Sequence, residues 1–227
     1  MGVYRWATTG CEVIAVQSGI GEARAAAGAQ LLIRAFAPQT LVSFGFAGGL
    51  VPDLGPGTIV IGDQLMADGS PAFRYQTAPA LVEEWYAAAK AEHLPAHRGT
   101  IVTVKRPVAD SPSKGALAQR TSACVVDMET AGVVEVARRA ALPCVTLRAI
   151  VDTAADALPM ACLGLIGLDG RVDGRRLMQA SWPSLGLLRD LCWLARRTAT
   201  ARRHLGRTLT RWAKDRGPGP NQERGRT

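Results

Sequence analysis

Three acidic residues lie at the ends of apolar segments, where a charged side chain needs a specific partner. Asp127 and Glu129 flank a methionine in the stretch VVDMETAG, and Asp152 ends the apolar segment LPCVTLRAIVD. Because an isolated carboxylate is costly to bury, each should accept hydrogen bonds or act on a ligand. If they lie close together, one can hold ligand hydroxyls while another, its pKa raised by burial, donates a proton. In the alternative interpretation, Asp127 and Glu129 only favour the start of the helix that follows.

Two glycine-rich stretches follow predicted strands and offer backbone to a ligand. In SGIGEARAAAG (18–28), amides at the start of a helix can hold an anion. A dinucleotide-binding loop would need an acidic residue about 20 positions further on, at a strand end, and none stands there. The remaining interpretations are tight-turn glycines or a close approach to a sugar or phosphate. In SFGFAGGL (43–50), the glycines either serve a turn with positive φ or form a backbone wall against a ligand.

Other patterns with a chemical precedent lack the partners that their chemistry requires. SPSK (111–114) matches the SxxK pattern of serine acyl-enzymes, but no SDN, KTG or GxSxG accompanies it, so we interpret it as a helix N-cap. The five cysteines are scattered without a CxxC pair, which argues against a disulfide framework or a zinc site. His93 and His97 are separated by Pro95, which spoils a shared helical face. We therefore predict no metal site.

Strands and helices alternate along most of the chain. We predict helices over 22–36, 80–92 and 130–141, and strands over 11–17, 40–46, 58–67, 98–104, 125–128 and 142–152. This alternation, with several strands rich in Val, Ile and Leu, indicates an α/β fold whose sheet is covered on both faces. Ligands of such sheets bind at the carboxyl ends of the strands. The four stretches VQSGIG, FGFAGGL, DMET and IVDTAAD all stand at such ends.

The basic charge of the chain is concentrated near its C-terminus. Residues 1–170 contain 13 Lys or Arg against 15 Asp or Glu, whereas residues 171–227 contain 14 against 4, so the excess belongs to the final segment. From residue 183, apolar residues recur every three or four positions among arginines. We predict an α/β domain over 1–182, a basic amphipathic helix over 183–216 and a disordered tail over 217–227. The helix either packs on the body or docks on an anionic membrane, and nucleic acid is the less favoured partner.

The N-terminal residues and the hydropathy of the chain bear on its location. The opening MGVYRWATTG lacks the apolar region of a secretory signal, and no apolar run reaches the roughly 18 residues of a membrane span. We therefore predict a cytoplasmic protein, peripheral on the inner face of the membrane if the basic helix docks there.

Taken together, the segments SGIG, FGFAGGLVPDLGPGTIVIGD and VVDMETAGVVEVARRAALPCVTLRAIVDTAAD resemble the nucleoside phosphorylase/nucleosidase family, which includes methylthioadenosine/adenosylhomocysteine nucleosidase. The resemblance runs from about residue 11 to 156. The later stretch GLDGRVDGRRLMQASWPSLGLLRDLCWLARR is similar to the hopanoid-associated phosphorylase branch, which is thought to remove adenine from adenosylhopane. The resemblance implies a single-domain, three-layer α/β fold with a central mixed sheet. It also implies an enzyme that acts as a homo-oligomer on a small nucleoside, here lipid-linked, with no cofactor except inorganic phosphate as a co-substrate.

The resemblance also implies roles for individual residues. Glu129 matches the glutamate that accepts hydrogen bonds from the ribose 2′ and 3′ hydroxyls, and Met128 matches the methionine packed on the sugar. Asp152 matches the acid that protonates or hydrogen-bonds the purine imidazole nitrogen, and Arg148 matches an arginine that supports the acidic loop. Val108 falls where the family pairs the base with backbone groups. The sugar would be lined by Ile20, Ala47 and Gly48, with Asp127 in place of a glutamate of the relatives.

The nucleophile is the point at which this chain departs from the family. Relatives begin with a further strand and an acid-bearing loop, so that the first strand and the water-activating glutamate have no counterpart here. Gly19, Gly21 and Ser43 remain as a phosphate or water loop, with Ser43 standing where some phosphorylases use an arginine. Phe46 replaces the motif serine and suits an apolar group on the ribose 5′ carbon. We expect adenine release from adenosylhopane; the alternatives are a methylthioadenosine/adenosylhomocysteine nucleosidase or an inactive nucleoside-binding or membrane-surface protein.

Overall fold

The computed structural model describes residues 1–7, 11–159, 167 and 185–216. The strands are β1 (Gly2–Ala7), β2 (Glu12–Gln17), β3 (Leu41–Gly49), β4 (Ile59–Ala67), β5 (Ser70–Gln76), β6 (Ala96–Thr103), β7 (Val125–Asp127) and β8 (Cys144–Asp152). The helices are α1 (Glu22–Phe36), α2 (Pro79–Ala91), α3 (Ser111–Thr121), α4 (Thr130–Arg139) and α5 (Leu185–Asp215).

Six strands form one mixed sheet in the order β5-β4-β6-β7-β3-β8. β3 runs parallel to β8, and β6 runs parallel to both β4 and β7, whereas β7 is antiparallel to β3. The first half of β4 also pairs antiparallel with β8, so the sheet closes on itself. Because β8 has a strand on each side and helices over its faces, all nine of its residues are buried. The predicted central mixed sheet is confirmed.

Helices cover the sheet on two sides, which produces the three layers that the sequence predicts. Neighbouring β4 residues point to opposite faces, as side chains in a strand must. Ile59 and Ile61 join α2 and α5 in one apolar cluster, while Val60 joins α1 and α4 in another. The α/β fold class is therefore confirmed.

The predicted amphipathic C-terminal helix is present as α5, and its apolar side is part of the core. Ala201, Leu205 and Trp212 are buried against the body. The Trp212 ring stacks on Trp85 of α2 with 4.3 Å between ring centroids, and its indole N–H donates to Glu84 at 2.8 Å. Packing on the body, rather than insertion into lipid, is thus what the structure shows for this apolar side. The predicted boundary at 182–183 and the predicted tail 217–227 lie outside the described residues.

Three features of the fold differ from the sequence-based expectation. β1 pairs antiparallel with β2 in a separate two-stranded sheet, although no strand was expected before residue 11. β5 is an edge strand paired with β4, and its sequence SPAFRYQ carries a proline that only an edge tolerates. The N-cap of α3 is Asp110, one residue before SPSK, because its carboxylate accepts the Ser113 N–H at 2.8 Å. Within the ranges that the structure describes, no helix is long and apolar enough to cross a membrane.

Candidate active site

The end of β7 carries a carboxylate that is fully enclosed by its neighbours. Asp127 Oδ1 accepts the Thr103 hydroxyl at 2.7 Å, and Oδ2 accepts the Thr130 N–H at 3.0 Å and the Arg148 Nε–H at 2.7 Å. The Thr130 hydroxyl also donates to Oδ2. The side chains of Asp127 and Arg148 are 0% and 1% exposed. Asp127 therefore holds the first turn of α4, as the helix-start interpretation expects, and it does not face a ligand cleft.

The Arg148 guanidinium gathers a second predicted site residue into the same enclosed cluster. Its Nη2 donates to Ser43 Oγ at 2.9 Å and to the Thr130 hydroxyl at 2.8 Å. Arg148 therefore supports the end of β7 and the middle of β3. Ser43, predicted in a phosphate or water loop, and Asp127, predicted at the sugar, instead lie inside the fold because the buried guanidinium needs acceptors on every side.

Glu129 stands outside this cluster and contacts the first glycine loop. Its Oε1 accepts the Gly21 N–H at 2.9 Å, and burial raises the pKa of its carboxyl group, with Asp127 adding to the rise and Arg148 opposing it. Gly21 has a φ of 101° and precedes α1, a conformation that favours glycine. A Cβ at Gly132 would lie 2.3 Å from the Glu22 carbonyl oxygen, so only glycine lets α4 approach α1 closely enough for this contact.

Asp152 ends β8 beside a buried lysine. The Lys114 ammonium donates to Asp152 Oδ2 at 2.5 Å, and the side chains of Lys114 and Asp152 are 0% and 7% exposed. Burial raises the pKa of the Asp152 carboxyl group, whereas the hydrogen bond and the charge of Lys114 lower it. Burial and Lys114 therefore act in opposite directions on the pKa of this carboxyl group.

Gly48 joins the two strand ends. It pairs with Val126 of β7 on one side and with Asp152 of β8 on the other. A Cβ at this position would lie 2.9 Å from Asp152 Oδ2 and 3.3 Å from Val126 Cγ1. Gly48 is required here for the close approach of Asp152 and Val126 and not for a positive φ, so the turn interpretation does not apply to it. Ala47 beside it is buried in the core.

The residues predicted on the base and sugar sides meet at one apolar cluster. Val108 and Met128, both half-buried, pack on the cluster that includes Val126. The Leu158 N–H donates to the Ala109 carbonyl at 2.8 Å, which ties the loop after β6 to the loop after β8. The remaining predicted residues lie at the surface of this region or in the glycine loop: Ile20 and Gly19 are half-buried, and Phe46 is 41% exposed.

Lys114 is the residue of this site that sequence reasoning missed. SPSK drew attention to its serines, and the lysine was interpreted only as part of a helix start. One signal was present, since a cation in the first turn of a helix opposes the macrodipole and needs a carboxylate to offset it. That carboxylate is 38 positions away in sequence, at Asp152.

Comparisons with known proteins agree with this architecture. Residues 2–162 match the profile described as the phosphorylase superfamily. The 5′-methylthioadenosine/S-adenosylhomocysteine nucleosidases of Geobacillus thermodenitrificans and Geobacillus kaustophilus are 33% and 32% identical over 164 residues, which are 65% of this chain and 69% of each relative.

Solved structures share the fold across nearly the whole chain. The nucleosidase of Neisseria meningitidis superposes with a TM-score of 0.72 at 21% identity, covering 94% of this chain and 85% of that one. Futalosine hydrolase of Helicobacter pylori superposes with a TM-score of 0.67 at 21% identity, covering 92% and 83%. The predicted nucleoside phosphorylase/nucleosidase family is confirmed: the chain belongs to the phosphorylase superfamily.

Proposed function

We propose that this protein cleaves the N-glycosidic bond of a 5′-substituted adenine nucleoside. The observation that carries the proposal is the placement of two carboxyl groups on either side of β3: the buried Asp152 ends β8, and the half-buried Glu129 lies just after β7. Asp152 and Val126 pair with the same glycine, Gly48, and Glu129 follows Val126 by three residues. Both carboxyl groups have a pKa raised chiefly by burial, and their remaining partners differ.

The two carboxyl groups suit two parts of one reaction. Departure of adenine leaves an oxocarbenium-like ribose, which hydrogen bonds to the hydroxyls and nearby negative charge stabilise. Glu129, with one oxygen held by the Gly21 N–H, would accept the 2′ and 3′ hydroxyls. Adenine leaves poorly as an anion, so Asp152 would protonate its imidazole nitrogen. General acids of this kind contribute about 10²- to 10⁴-fold to the rate.

We propose adenosylhopane as the substrate because apolar surface lies on the strand that leads to Gly48. Phe44 and Phe46 are two positions apart in β3 and therefore share one face of the strand, just before Gly48. Each is 41% exposed. Such surface suits a large apolar group on the ribose 5′ carbon. The second candidate is a methylthioadenosine/adenosylhomocysteine nucleosidase, which the names of the two Geobacillus relatives favour.

We favour water over inorganic phosphate as the nucleophile that attacks the ribosyl carbon. Phosphate is the alternative co-substrate. A phosphate loop needs free donors, but the Gly21 N–H donates to Glu129 and Ser43 Oγ lies within the Arg148 cluster. Adenine release that is independent of added phosphate is therefore the expected behaviour.

A lipid-linked substrate would bring a cytoplasmic enzyme to the membrane surface. The apolar side of α5 is already packed on the body, so contact would have to use its exposed arginines, among them Arg202 and Arg203. Sedimentation with anionic vesicles, compared between the unchanged protein and R202Q/R203Q, tests this contact; equal sedimentation contradicts it. Light scattering during size-exclusion chromatography tests the proposed homo-oligomer.

Adenine release measured by chromatography tests the proposed reaction. Methylthioadenosine, adenosylhomocysteine and adenosylhopane are each incubated with the protein, with and without phosphate. Release from adenosylhopane alone supports the lipid substrate, and release from the small thioethers alone selects the second candidate. Measurable nucleoside binding with no release from any of them makes the protein an inactive member of its family.

A further inference from the structure

The ammonium group of Lys114 is fully buried, and all three of its donors are used. Its Nζ donates to Asp152 Oδ2 at 2.5 Å, to the Thr153 carbonyl at 2.7 Å and to the Asp156 carbonyl at 2.9 Å. An ammonium group has three donors, so its orientation is set on every side. Burying it is costly unless such partners offset the loss of water. The arrangement thus fixes one charge against one oxygen of Asp152.

We infer that Lys114 is a positioning residue that aims the Asp152 carboxyl group and stabilises its negative charge once the proton has left. The inference rests on the proposed function. Among the described residues, only Oδ2 of Asp152 accepts a side-chain hydrogen bond, which leaves Oδ1 for the purine. Lys114 itself touches neither the base nor the sugar in this account.

The proton balance of the step is simple. The Oδ1–H bond of Asp152 breaks as an N–H bond forms on the purine imidazole nitrogen, and the glycosidic electron pair leaves with the purine as neutral adenine. The ribosyl carbon then takes the oxygen of a water molecule, whose released proton restores Asp152. The carboxylate that exists between these two events faces the Lys114 ammonium at hydrogen-bonding distance. A charge that develops in the transition state is stabilised most by a group already in place.

The turn that follows Asp152 fixes the lysine and connects it to α5. The Asp156 carboxylate accepts the Thr153 N–H at 2.8 Å and its hydroxyl at 2.7 Å, and it pairs with Arg197 of α5. Arg197 in turn lies over the Trp193 ring at 4.3 Å. Within the part of the chain that the structure describes, the charged groups around Asp152 are therefore Lys114 from α3, Asp156 from its own loop and Arg197 behind it.

The Lys114→Met variant tests the inference through the pH dependence of adenine release. Burial raises the pKa of Asp152 and Lys114 lowers it, so the variant should move the alkaline fall in activity to higher pH. Loss of a charged hydrogen bond should lower kcat about ten- to hundredfold, with KM within about threefold. Lys114→Arg should restore part of the rate. The control Lys90→Met removes an exposed lysine at the end of α2 and should change neither quantity.

A second measurement separates failure of this inference from failure of the proposed function. The carboxyl carbon of Asp152, labelled with ¹³C and assigned by its absence in Asp152→Asn, is titrated by NMR in the unchanged protein and in Lys114→Met. Lys114→Gln replaces the methionine variant if that one does not fold. A higher titration midpoint without the lysine supports the coupling even if no substrate releases adenine, in which case only the proposed function fails. Equal midpoints, or a folded variant with unchanged kcat and pH profile, overturn the inference.

Discussion

Two buried aspartate–cation pairs stand at the ends of β7 and β8, the two strands that flank β3, and they differ in how completely each is enclosed. Asp127 pairs with Arg148, and both oxygens of the carboxylate accept hydrogen bonds from Arg148 or from threonines. Asp152 pairs with Lys114 through one oxygen. Arginine presents a fork of five donors that can tie several elements together, whereas lysine presents a compact charge with three donors.

The difference shows how one sheet edge can contain both a support and a reactive group. The Asp127–Arg148 pair joins β3, β7, β8 and α4 with no oxygen left for a ligand, so its effect is on stability. The Asp152–Lys114 pair leaves one oxygen without a side-chain donor among the described residues, and burial raises the pKa of that carboxyl group while Lys114 opposes the rise. A carboxyl group with opposing influences on its proton is the kind that functional sites use.

The largest expected effect is on catalysis, from Asp152→Asn. The amide cannot donate an acidic proton, so kcat/KM for adenine release should fall about 10²- to 10⁴-fold. Urea unfolding should also show a lower free energy, by up to about 3–5 kcal/mol, because the Lys114 ammonium stays buried without its counter-charge, so the rate is measured on the folded variant. The control Asp68→Asn removes an exposed acidic partner of Arg120 and should leave the rate unchanged. Comparable activity of Asp152→Asn would remove Asp152 from the mechanism.

The second effect falls on stability, from Arg148→Met. The change leaves the Asp127 carboxylate buried without its cation, which costs about 3–5 kcal/mol in other proteins. Urea unfolding followed by circular dichroism measures the loss. The matched control Arg138→Met breaks an exposed ion pair on α4 with Glu135 and should cost no more than about 1 kcal/mol. If both variants cost the same, the closed pair is not the support that we describe.

Helices and strands that are determined by their local sequence could be predicted. Which residues form the site depends on which of these elements contact each other in the fold. The helix predicted over 22–36 is α1, because an alanine-rich segment ends before Pro38 without needing a partner. Glu129 and Asp152 were identifiable because each follows an apolar segment and matches a family motif. β5 was not predictable, since its residues form a strand only when β4 supplies hydrogen bonds.

The partners of each charged side chain were beyond local reasoning. Ser43 and Arg148 are 105 positions apart, and Lys114 and Asp152 are 38 apart. The family motif placed Asp127 beside the ligand, but four donors from three elements, β6, α4 and β8, enclose it. Only the fold decides whether a carboxylate at a strand end is closed or open.

The smallest effect tests the carboxyl group of Glu129, which belongs to neither pair. Glu129 is half-buried and forms no ion pair among the residues that the structure describes, and its pKa is raised above the usual value, chiefly by burial. A carboxyl group with a higher pKa in the folded state contributes stability at low pH, and that contribution is lost as the pH rises from the unfolded pKa through the folded pKa.

Glu129→Gln removes this loss, and the amide oxygen can still accept the Gly21 N–H. Near pH 7 the variant should therefore melt about 2–4 °C higher than the unchanged protein, the shift that about 1 kcal/mol produces in a chain of this length. Well below pH 4 both proteins should melt at the same temperature. Differential scanning calorimetry across this pH range measures it. Glu135→Gln is the contrasting variant: hydrogen bonds from Arg138 and Arg139 lower the pKa of that carboxyl group to about 2, so its replacement should not raise the melting temperature near pH 7. A lower melting temperature for Glu129→Gln at pH 7 would mean that the negative charge stabilises the fold, and Glu129 would then belong with Asp127 among the supports.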